Sequence, residues 1–599
     1  LLLCTFSALA QSSLIERPRL PLDGKWKACA MDQVTDVPPE SWTESQDLPG
    51  RRGLSGNTKA LWVKRVLTIP VSWQSSLTFL HIDHPLFATN VYINGKQAGS
   101  ILGYGGEIDI SDAVLPGQEN EIILFFGKDG AGTELDAWSE NVIKKMQEDR
   151  RQAVGLLGNK DSFYLESRPS SVWVSDVWYR TRTRAFTRIE PQVTLVASQP
   201  LINVKARVAL YELGGDDTPG KQVVSHEFPL GDLPVGESVH EVAFSAKDLK
   251  LWDLREPNLY YGQVVLLDTE GKVLDHSPLT RFGIRDFWVA GNRYYLNNRQ
   301  VYLTLDAYLH ASLEEALKAG ITLTYTKHAA TDATFIENSE SYISTCDKIG
   351  MGHIAYGVGV GYGMPDITKS ANREGYRAWV NGWIRRLRNH PSILFWVLST
   401  NFAGGDTHTP TVIGKSKHLR WDHIAATVSV EEHRQLDDTR PLFHHQASGT
   451  GDLDTGNVYF NHIPMQEVDE WLSETATNGD RPFMAIEFSG APLAVDYIKN
   501  LGDPPRVSYA TEFMARLAGD EAYLRESNDY LNYANYTTPR VAMWSYIPFG
   551  YSDLLIEQQI KAHTRTYRSM RYWGVPTDLW VFPSTRQHDA RTRAAKDIL

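Results

Sequence analysis

The stretch Arg388-Asn-His-Pro-Ser-Ile-Leu-Phe-Trp-Val-Leu-Ser-Thr-Asn-Phe402 decides the fold of the second half of the chain. It contains a predicted strand from Ile393 to Thr400, and a predicted helix from Tyr376 to Arg388 comes before that strand. Strands and helices alternate in this way from Tyr294 onward, which is typical of βα units. We count eight such strands, which predicts a (β/α)8 TIM barrel with the strand ends at one rim. The predicted strands cover residues 295–305, 320–328, 354–357, 393–400, 441–444, 457–461, 483–487 and 541–544.

The first half of the chain has the pattern of an all-β protein. Short alternating segments such as Leu61–Pro70 and Ala88–Gly95 are separated by turns, which favours a sandwich or jelly roll. Alternation resumes from Ile189 to Phe282 and suits an immunoglobulin-like β-sandwich. A charged stretch from Glu134 to Lys160 has a helical pattern and is interpreted as a solvated insertion. The predicted domains are a jelly roll at residues 11–185, an immunoglobulin-like sandwich at 186–290 and a catalytic-type TIM barrel at 291–599.

Composition limits the possible partners. The 599 residues carry a net charge of −12, and no long basic block is present, so a nucleic-acid partner is excluded. Three cysteines cannot form a disulfide framework. Beyond residue 10, no apolar run approaches the roughly 18 residues that a membrane helix needs. No cofactor is predicted, and homo-oligomer formation stays open.

The first ten residues, Leu1–Ala10, form an apolar run that ends in a small-residue Ala8-x-Ala10 pattern. This pattern is typical of the end of a secretory signal peptide and predicts a secreted or periplasmic protein. A buried N-terminal strand is the alternative interpretation. Lipidation of Cys4 is disfavoured because three Leu residues precede it rather than a small residue.

The segment from Arg388 to Asn401 resembles the "R-N-H-P-S-I-x-x-W-x-x-x-N-E" segment of glycoside hydrolase family 2, the β-galactosidase, β-glucuronidase and β-mannosidase group. Asn90-Val-Tyr-Ile-Asn-Gly-Lys96 and Ser171-Val-Trp-Val-Ser-Asp-Val-Trp178 are similar to the sugar-binding jelly roll at the front of these enzymes. The resemblance extends from Leu20 to Gly574. It implies a glycosidase that acts on the O-glycosidic bonds of a polysaccharide-derived oligosaccharide.

The resemblance also implies site residues. Glu487, in Arg481-Pro-Phe-Met-Ala-Ile-Glu-Phe-Ser489, matches the family's nucleophile motif. Trp544 resembles the tryptophan that stacks on the sugar, and Asn401 the asparagine that holds the sugar 2-hydroxyl. Further polar residues at predicted strand ends are expected to contact substrate: Asp306, His310, His328, His444, Tyr459, Asn461 and His462. No His-Glu-x-x-His pattern exists, so no metal site is predicted.

The chain departs from the family where the acid/base glutamate is expected, because Phe402 follows Asn401. Three explanations remain open. Another residue can supply the proton, with Asp406 first and His408 or Asp306 as further candidates. The chain can instead be a catalytically inactive protein that binds carbohydrate. A non-hydrolytic reaction on a sugar is the third explanation, and no residue supports it.

Overall fold

A computed structural model describes the following parts of the chain. They are residues 17–31, 37–53, 60–83, 89–101, 105–127, 153–156, 162–181, 188–245, 247–303, 305–306, 313–318, 321–326, 333–356, 366–399, 423–445, 450–458 and 481–488. The predicted signal peptide and the predicted eighth strand at residues 541–544 lie outside these ranges. Among the described helices, none is long and apolar enough to cross a membrane.

Two antiparallel sheets form the N-terminal part. One has the order β1-β12-β6-β9, the other β3-β2-β5-β10-β7-β8, and a shared core that includes Trp26, Leu80 and Phe163 lies between them. Strand β11 pairs with β4, so Ala153–Leu156 is extended although the surrounding stretch was predicted to be helical. The strands are β1 (Arg19–Pro21), β2 (Gly24–Met31), β3 (Glu44–Leu48), β4 (Gly50–Gly53), β5 (Ala60–Thr68), β6 (Ser76–Asp83), β7 (Thr89–Ile93), β8 (Lys96–Ile101), β9 (Gly105–Asp109), β10 (Glu119–Gly127), β11 (Ala153–Leu156) and β12 (Phe163–Pro169), with a 3-10 helix at Val71–Trp73.

Two further antiparallel sheets enclose a core of their own, which we call the sandwich core. Strands β13, β14, β17 and β18 pack against a sheet of β16, β15, β21, β22 and β23 around Val193, Val208 and Val264. Strand β13 precedes the predicted boundary at residue 185, and it hydrogen-bonds to β14 in this sheet. The elements are β13 (Val172–Arg180), β14 (Arg188–Ala197), β15 (Leu201–Leu213), a 3-10 helix (Gly215–Asp217), β16 (Pro219–Leu233), β17 (Gly236–Glu241), β18 (Phe244–Ser245), β19 (Trp252–Asp253), β20 (Glu256–Pro257), β21 (Tyr260–Leu267), β22 (Val273–His276) and β23 (Thr280–Phe282).

A short antiparallel sheet leads into the βα region. It consists of β24 (Phe287–Ala290), β25 (Arg293–Leu296) and β26 (Arg299–Val301). The turn at Asn297 and Asn298 has positive φ at both residues, a backbone conformation that asparagine tolerates better than most residues. Residues 295–305 were predicted as one barrel strand, and the structure divides them between this hairpin and the next strand.

Seven parallel strands follow, as the sequence pattern predicts. Five form one sheet in chain order, β27-β28-β29-β30-β31, and β32 pairs with β33. The strands are β27 (Leu305–Asp306), β28 (Leu323–Thr326), β29 (Gly352–Tyr356), β30 (Ile393–Val397), β31 (Leu442–Phe443), β32 (Asp454–Val458) and β33 (Phe483–Phe488). The helices between them are α1 (Leu313–Lys318), α2 (Ala333–Ile349), α3 (Ser370–Leu387) and α4 (His423–Leu436).

The parallel sheet has an apolar core on each face. Trp396, Leu398 and Leu442 pack with residues of α2, α3 and α4, which we call the helix-side core. Val397 and Phe443, their neighbours in sequence, belong to the second core on the other face. Successive side chains of a strand point to opposite faces, so one step along β31 decides which face a residue serves.

Candidate functional site

The carboxyl ends of the parallel strands meet at one edge of the structure. Asp306 ends β27, Tyr356 ends β29, and Glu487 is the penultimate residue of β33. Parallel strands joined by helical crossovers place these ends together, which is where βα proteins carry their ligand sites. We call this edge the carboxyl edge.

A β-bulge sets the position of Glu487. Strand β33 pairs residue by residue with β32 until Gly456 opposes Ala485, and Asn457 then opposes Glu487. Ile486 is therefore an extra residue without an opposite partner on β32. Because Thr455 opposes Met484, and Asn457 lies two residues after Thr455, the bulge returns the Glu487 position to the face of Met484. Met484 is fully buried in the second core, so residue 487 lies on the face away from the helices.

His444 lies on the helix side of the sheet. Its Nε2 is 3.3 Å from Ala426 O and 3.1 Å from Ser429 Oγ, and both of these residues belong to α4. Its Nδ1 is 2.9 Å from Ser399 Oγ. A carbonyl can only accept, so Nε2 carries the proton and Nδ1 accepts from the hydroxyl. Burial lowers the pKa of His444 to about 3 and keeps the ring neutral.

The expectation that His444 contacts substrate at a rim is therefore corrected. The ring is fully buried between strand and helix, and its hydrogen bonds are to protein atoms. His445 is the residue that faces the other way, with its ring edge-on to Tyr356 at 6.3 Å between centroids. Counting by two from Phe443, a member of the second core, would have identified His445 from the sequence.

The remaining predicted residues divide into two groups. Asp306 and Glu487 are placed by backbone and register alone. The other predicted residues lie outside the described parts of the chain, and they are Asn401, Asp406, Trp544, His328, His310, Tyr459, Asn461 and His462. Phe402 and His408 lie outside them as well. In the described part of the chain, no group of three or more His, Cys, Asp or Glu side chains could hold a metal ion.

The Arg388–Ser392 turn lies at the opposite, amino end of the same sheet. The Asn389 amide donates from Nδ2 to Val177 O (2.8 Å) and accepts at Oδ1 from the N–H of Tyr179 (2.9 Å). Arg388 forms an ion pair with Asp176, and its guanidinium lies 4.6 Å from the ring centre of Trp178. Two residues of the turn thus attach the parallel sheet to β13.

Asp347, near the end of α2, also holds this turn through hydrogen bonds. His390 Nδ1 lies 2.6 Å from Asp347 Oδ2, and the N–H of Ser392 donates to Oδ1 at 3.1 Å. Burial alone would raise the pKa of Asp347, but the charge of His390 and the hydrogen bonds from His390 and Ser392 lower it. Trp252 donates from Nε1 to Asp347 O (2.8 Å). Asp347 therefore joins α2, the turn and the second sandwich.

Arg285 and Gly283 complete this connection. Arg285 is buried and donates to Pro391 O (2.9 Å) and Ile393 O (2.6 Å). A Cβ on Gly283 would lie 2.7 Å from Pro391 Cγ, so the close approach requires glycine. The residues that carry the resemblance at this end of the sheet hold domains together.

Comparison with known proteins bears on this arrangement. A sequence profile described as "Glycosyl hydrolases family 2" matches residues 174–285, the second sandwich and its connection to the sheet. A β-glucuronidase of Paenibacillus borealis is 21% identical over 63% of this chain and 64% of its own length. A putative β-glucuronidase of Formosa agariphila is 26% identical over 61% and 43%, and a β-galactosidase of Erwinia tasmaniensis 22% over 67% and 42%. These sequence comparisons show that the chain is similar to glycoside hydrolase family 2, with the profile match confined to residues 174–285.

Solved structures share the fold of this chain. The β-glucuronidase of Bifidobacterium dentium in complex with coumarin-3-O-glucuronide superposes with a TM-score of 0.60 at 18% identity, covering 97% of both chains. Bacteroides uniformis β-glucuronidase 2, covalently bound to cyclophellitol-6-carboxylate aziridine, gives 0.58 at 15% identity over 80% of this chain and 60% of its own. This chain spans less than two thirds of the curated family 2 relatives named above.

Proposed function

We propose that this chain is an exported glycosidase that hydrolyses the O-glycosidic bonds of an oligosaccharide, with Glu487 as nucleophile. The observation that supports the proposal is the bulge at Ile486, after which Glu487 opposes Asn457 in the register of β32 and β33 at the carboxyl edge. Bulges beside active sites commonly re-aim one side chain in this way. The match to the family 2 profile and relatives named β-glucuronidase and β-galactosidase support the reaction class. Fractionation of producing cells tests the export.

The proposed architecture has a jelly roll, an immunoglobulin-like sandwich and a TIM barrel. The two pairs of antiparallel sheets support the first two domains. Seven parallel strands in chain order support the barrel, and residues 541–544 would supply its eighth strand. In this arrangement the second core fills the barrel interior and Glu487 lies at its mouth.

The proposed mechanism needs a proton donor other than residue 402. A retaining hydrolase uses two carboxyl groups about 5–5.5 Å apart, and an inverting one about 6.5–9.5 Å apart. Phe402 supplies no proton, and Asp406 follows four residues later in a glycine-rich segment. We propose Asp406 as the acid. Without any donor the rate falls about 10²–10⁴-fold, and least for substrates with good leaving groups.

Covalent labelling tests the nucleophile and the sugar together. The protein is incubated with a cyclophellitol aziridine and, separately, with its 6-carboxylate form, and intact mass is measured. We expect one adduct, located on Glu487 by peptide mapping, absent in Glu487→Gln and formed more slowly in Asp406→Asn. The reagent that labels faster indicates whether a neutral sugar or a uronate is bound. An adduct on another residue, or equal labelling of Glu487→Gln, would overturn the assignment.

A second candidate function is carbohydrate binding without hydrolysis. The observation that favours it is Phe402 itself, which stands where the family carries its acid/base. This alternative predicts saturable oligosaccharide binding by calorimetry, no adduct with either aziridine, and no release of the phenol from any aryl glycoside. Turnover of an activated aryl glycoside that is lost in Glu487→Gln excludes it.

A further inference from the structure

A narrow cavity lies at the amino end of the parallel sheet, where the second sandwich meets the Arg388–Ser392 turn. Its lining includes Trp178, Arg180, Arg285, Arg388 and Arg440. The open interior is about 20 Å³, which is room for one water molecule or one monatomic ion. The cavity is far too small for a sugar, and it lies at the end of the strands opposite the carboxyl edge.

Four guanidinium groups surround this space, and each arginine is only 5% exposed. Three have a carboxylate in contact: Arg388 pairs with Asp176, Arg180 with Glu241 at 2.5 Å, and Arg440 with Asp437 at 2.5 Å. Arg285 donates only to main-chain carbonyls, and among the described residues no carboxylate lies in ion-pair contact with it. The lining therefore carries one positive charge more than its contacting carboxylates neutralise.

Three donor nitrogens of the lining arginines make no hydrogen bond within the described ranges. They are Nε and Nη2 of Arg180 and Nε of Arg388, and all three are enclosed by protein. The guanidinium groups of these two arginines also share one aromatic ring, at 5.3 Å and 4.6 Å from the ring centre of Trp178. Buried donors without acceptors and a buried charge without a counter-charge are costly unless an acceptor or an anion is bound nearby.

The electrostatics of Arg285 point in the same direction. Burial, together with the neighbouring charge of Arg440, lowers the pKa of Arg285 to about 9, although Asp437, Asp286 and Asp347 act against this shift from further away. A protonated Arg285 is thus held in an environment that disfavours its charge. An anion in the cavity would relieve this destabilisation.

We propose that the cavity binds one monatomic anion of chloride size, which neutralises the excess positive charge of the four arginines that line it. The size of the space excludes phosphate, sulfate and carboxylates. The anion would join β13 to the turn before β30 and stabilise the contact between sandwich and sheet. It takes no part in the proposed hydrolysis.

Thermal unfolding of the whole chain in sodium chloride and in sodium gluconate of equal ionic strength tests this proposal. Gluconate is too large for the cavity, so a chloride site gives a saturating increase in Tm of about 2 °C or more in chloride alone. Arg180→Gln should abolish the chloride-specific increase. Arg207→Gln is the matched control, because Arg207 forms an exposed pair with Glu227 away from the cavity and should retain the full increase.

Anomalous diffraction from crystals in sodium bromide gives a second measurement that needs no variant. We expect one bromide peak in the cavity lined by Arg180, Arg285, Arg388 and Arg440. A non-anomalous peak alone would mean that water occupies the cavity, and the proposal would be wrong. Equal Tm values in chloride and gluconate, or the same chloride response in Arg180→Gln and wild type, would also overturn it.

Discussion

The two ends of the parallel sheet differ in what their residues do. At the amino end, the motif from Arg388 to Ser392 is bonded side chain by side chain to β13, to Asp347 and to Arg285. At the carboxyl edge, the sequence departs from family 2 at Phe402, and Glu487 depends on a single bulge for its placement. The strongest resemblance in the chain therefore belongs to the scaffold. A match to this motif predicts the fold and carries no information about the acid/base.

The largest expected effect is at the carboxyl edge. Glu487→Gln removes the proposed nucleophile and should lower kcat on an activated aryl glycoside by about 10³-fold or more. The urea midpoint should stay near that of wild type, since a residue at the mouth of the proposed barrel contributes little to packing. Equal turnover by variant and wild type would place the chemistry elsewhere.

At the amino end of the sheet, a substitution of Asp347 should lower the stability of the protein. Asp347→Ala leaves the partly buried His390 and the buried Ser392 without their acceptor, and should lower the free energy of unfolding by about 3–5 kcal/mol. Urea denaturation followed by tryptophan fluorescence measures the change. Asp112→Ala, at an exposed turn, is the control and should stay within about 0.5 kcal/mol of wild type. A similarly small effect for Asp347→Ala would remove the distinction between the two ends.

Acid should weaken the scaffold through buried histidines. Burial lowers the pKa of His353 and His444 to about 3 and that of His433 to about 4. Between about pH 6.5 and pH 4 only the unfolded chain takes up these protons, so stability falls as the pH falls, by up to about 1.4 kcal/mol per pH unit for each histidine.

Unfolding free energies measured from about pH 7 down to pH 4 test this dependence. In His444→Gln one of the titrating groups is gone, and the slope should decrease by up to about 1.4 kcal/mol per pH unit. A stability that does not change over this range would mean that the histidines are protonated in the folded protein.

The smallest effects concern two neighbouring buried residues. His444→Ala removes hydrogen bonds to Ser399 and Ser429 and should cost about 1–3 kcal/mol of stability, with little change in kcat of the folded enzyme. His445→Ala should also act on stability, because the His445 ring is fully buried and packs edge-on against Tyr356. Urea denaturation and kcat/KM of both variants test this, and a fall in kcat/KM without a loss of stability would place the substituted ring at the substrate.

The parallel strands follow from the sequence because their hydrophobic pattern is local. Helix α1 has the predicted bounds Leu313–Lys318, and seven of the eight predicted strands lie within the described structure. The hairpin at Asn297 was missed because the predicted strand was extended through two residues that a tight turn accepts well.

Side-chain direction was harder to predict. His444 was assigned to the rim because the strand was extended by one residue, and one residue reverses the face. In β33 the sequence alone would assign a residue to the helix side that the strand register assigns to the other face. Strict alternation from Met484 would place Glu487 on the helix side, and only the register with β32 reveals the extra residue Ile486. A bulge is a property of two strands together, so the sequence of one strand does not contain it.

The contacts of Asn389 have a consequence for how the chain is made. Its partners Val177 and Tyr179 are more than 200 residues earlier in the sequence. At about 5–20 residues per second, the ribosome needs about 10–40 seconds to produce the distance between them. During this interval β13 is already synthesised while its partner turn does not exist, and Asp176 has no Arg388 to pair with. The junction can close only late in synthesis, and the nascent sandwich must remain soluble until it does.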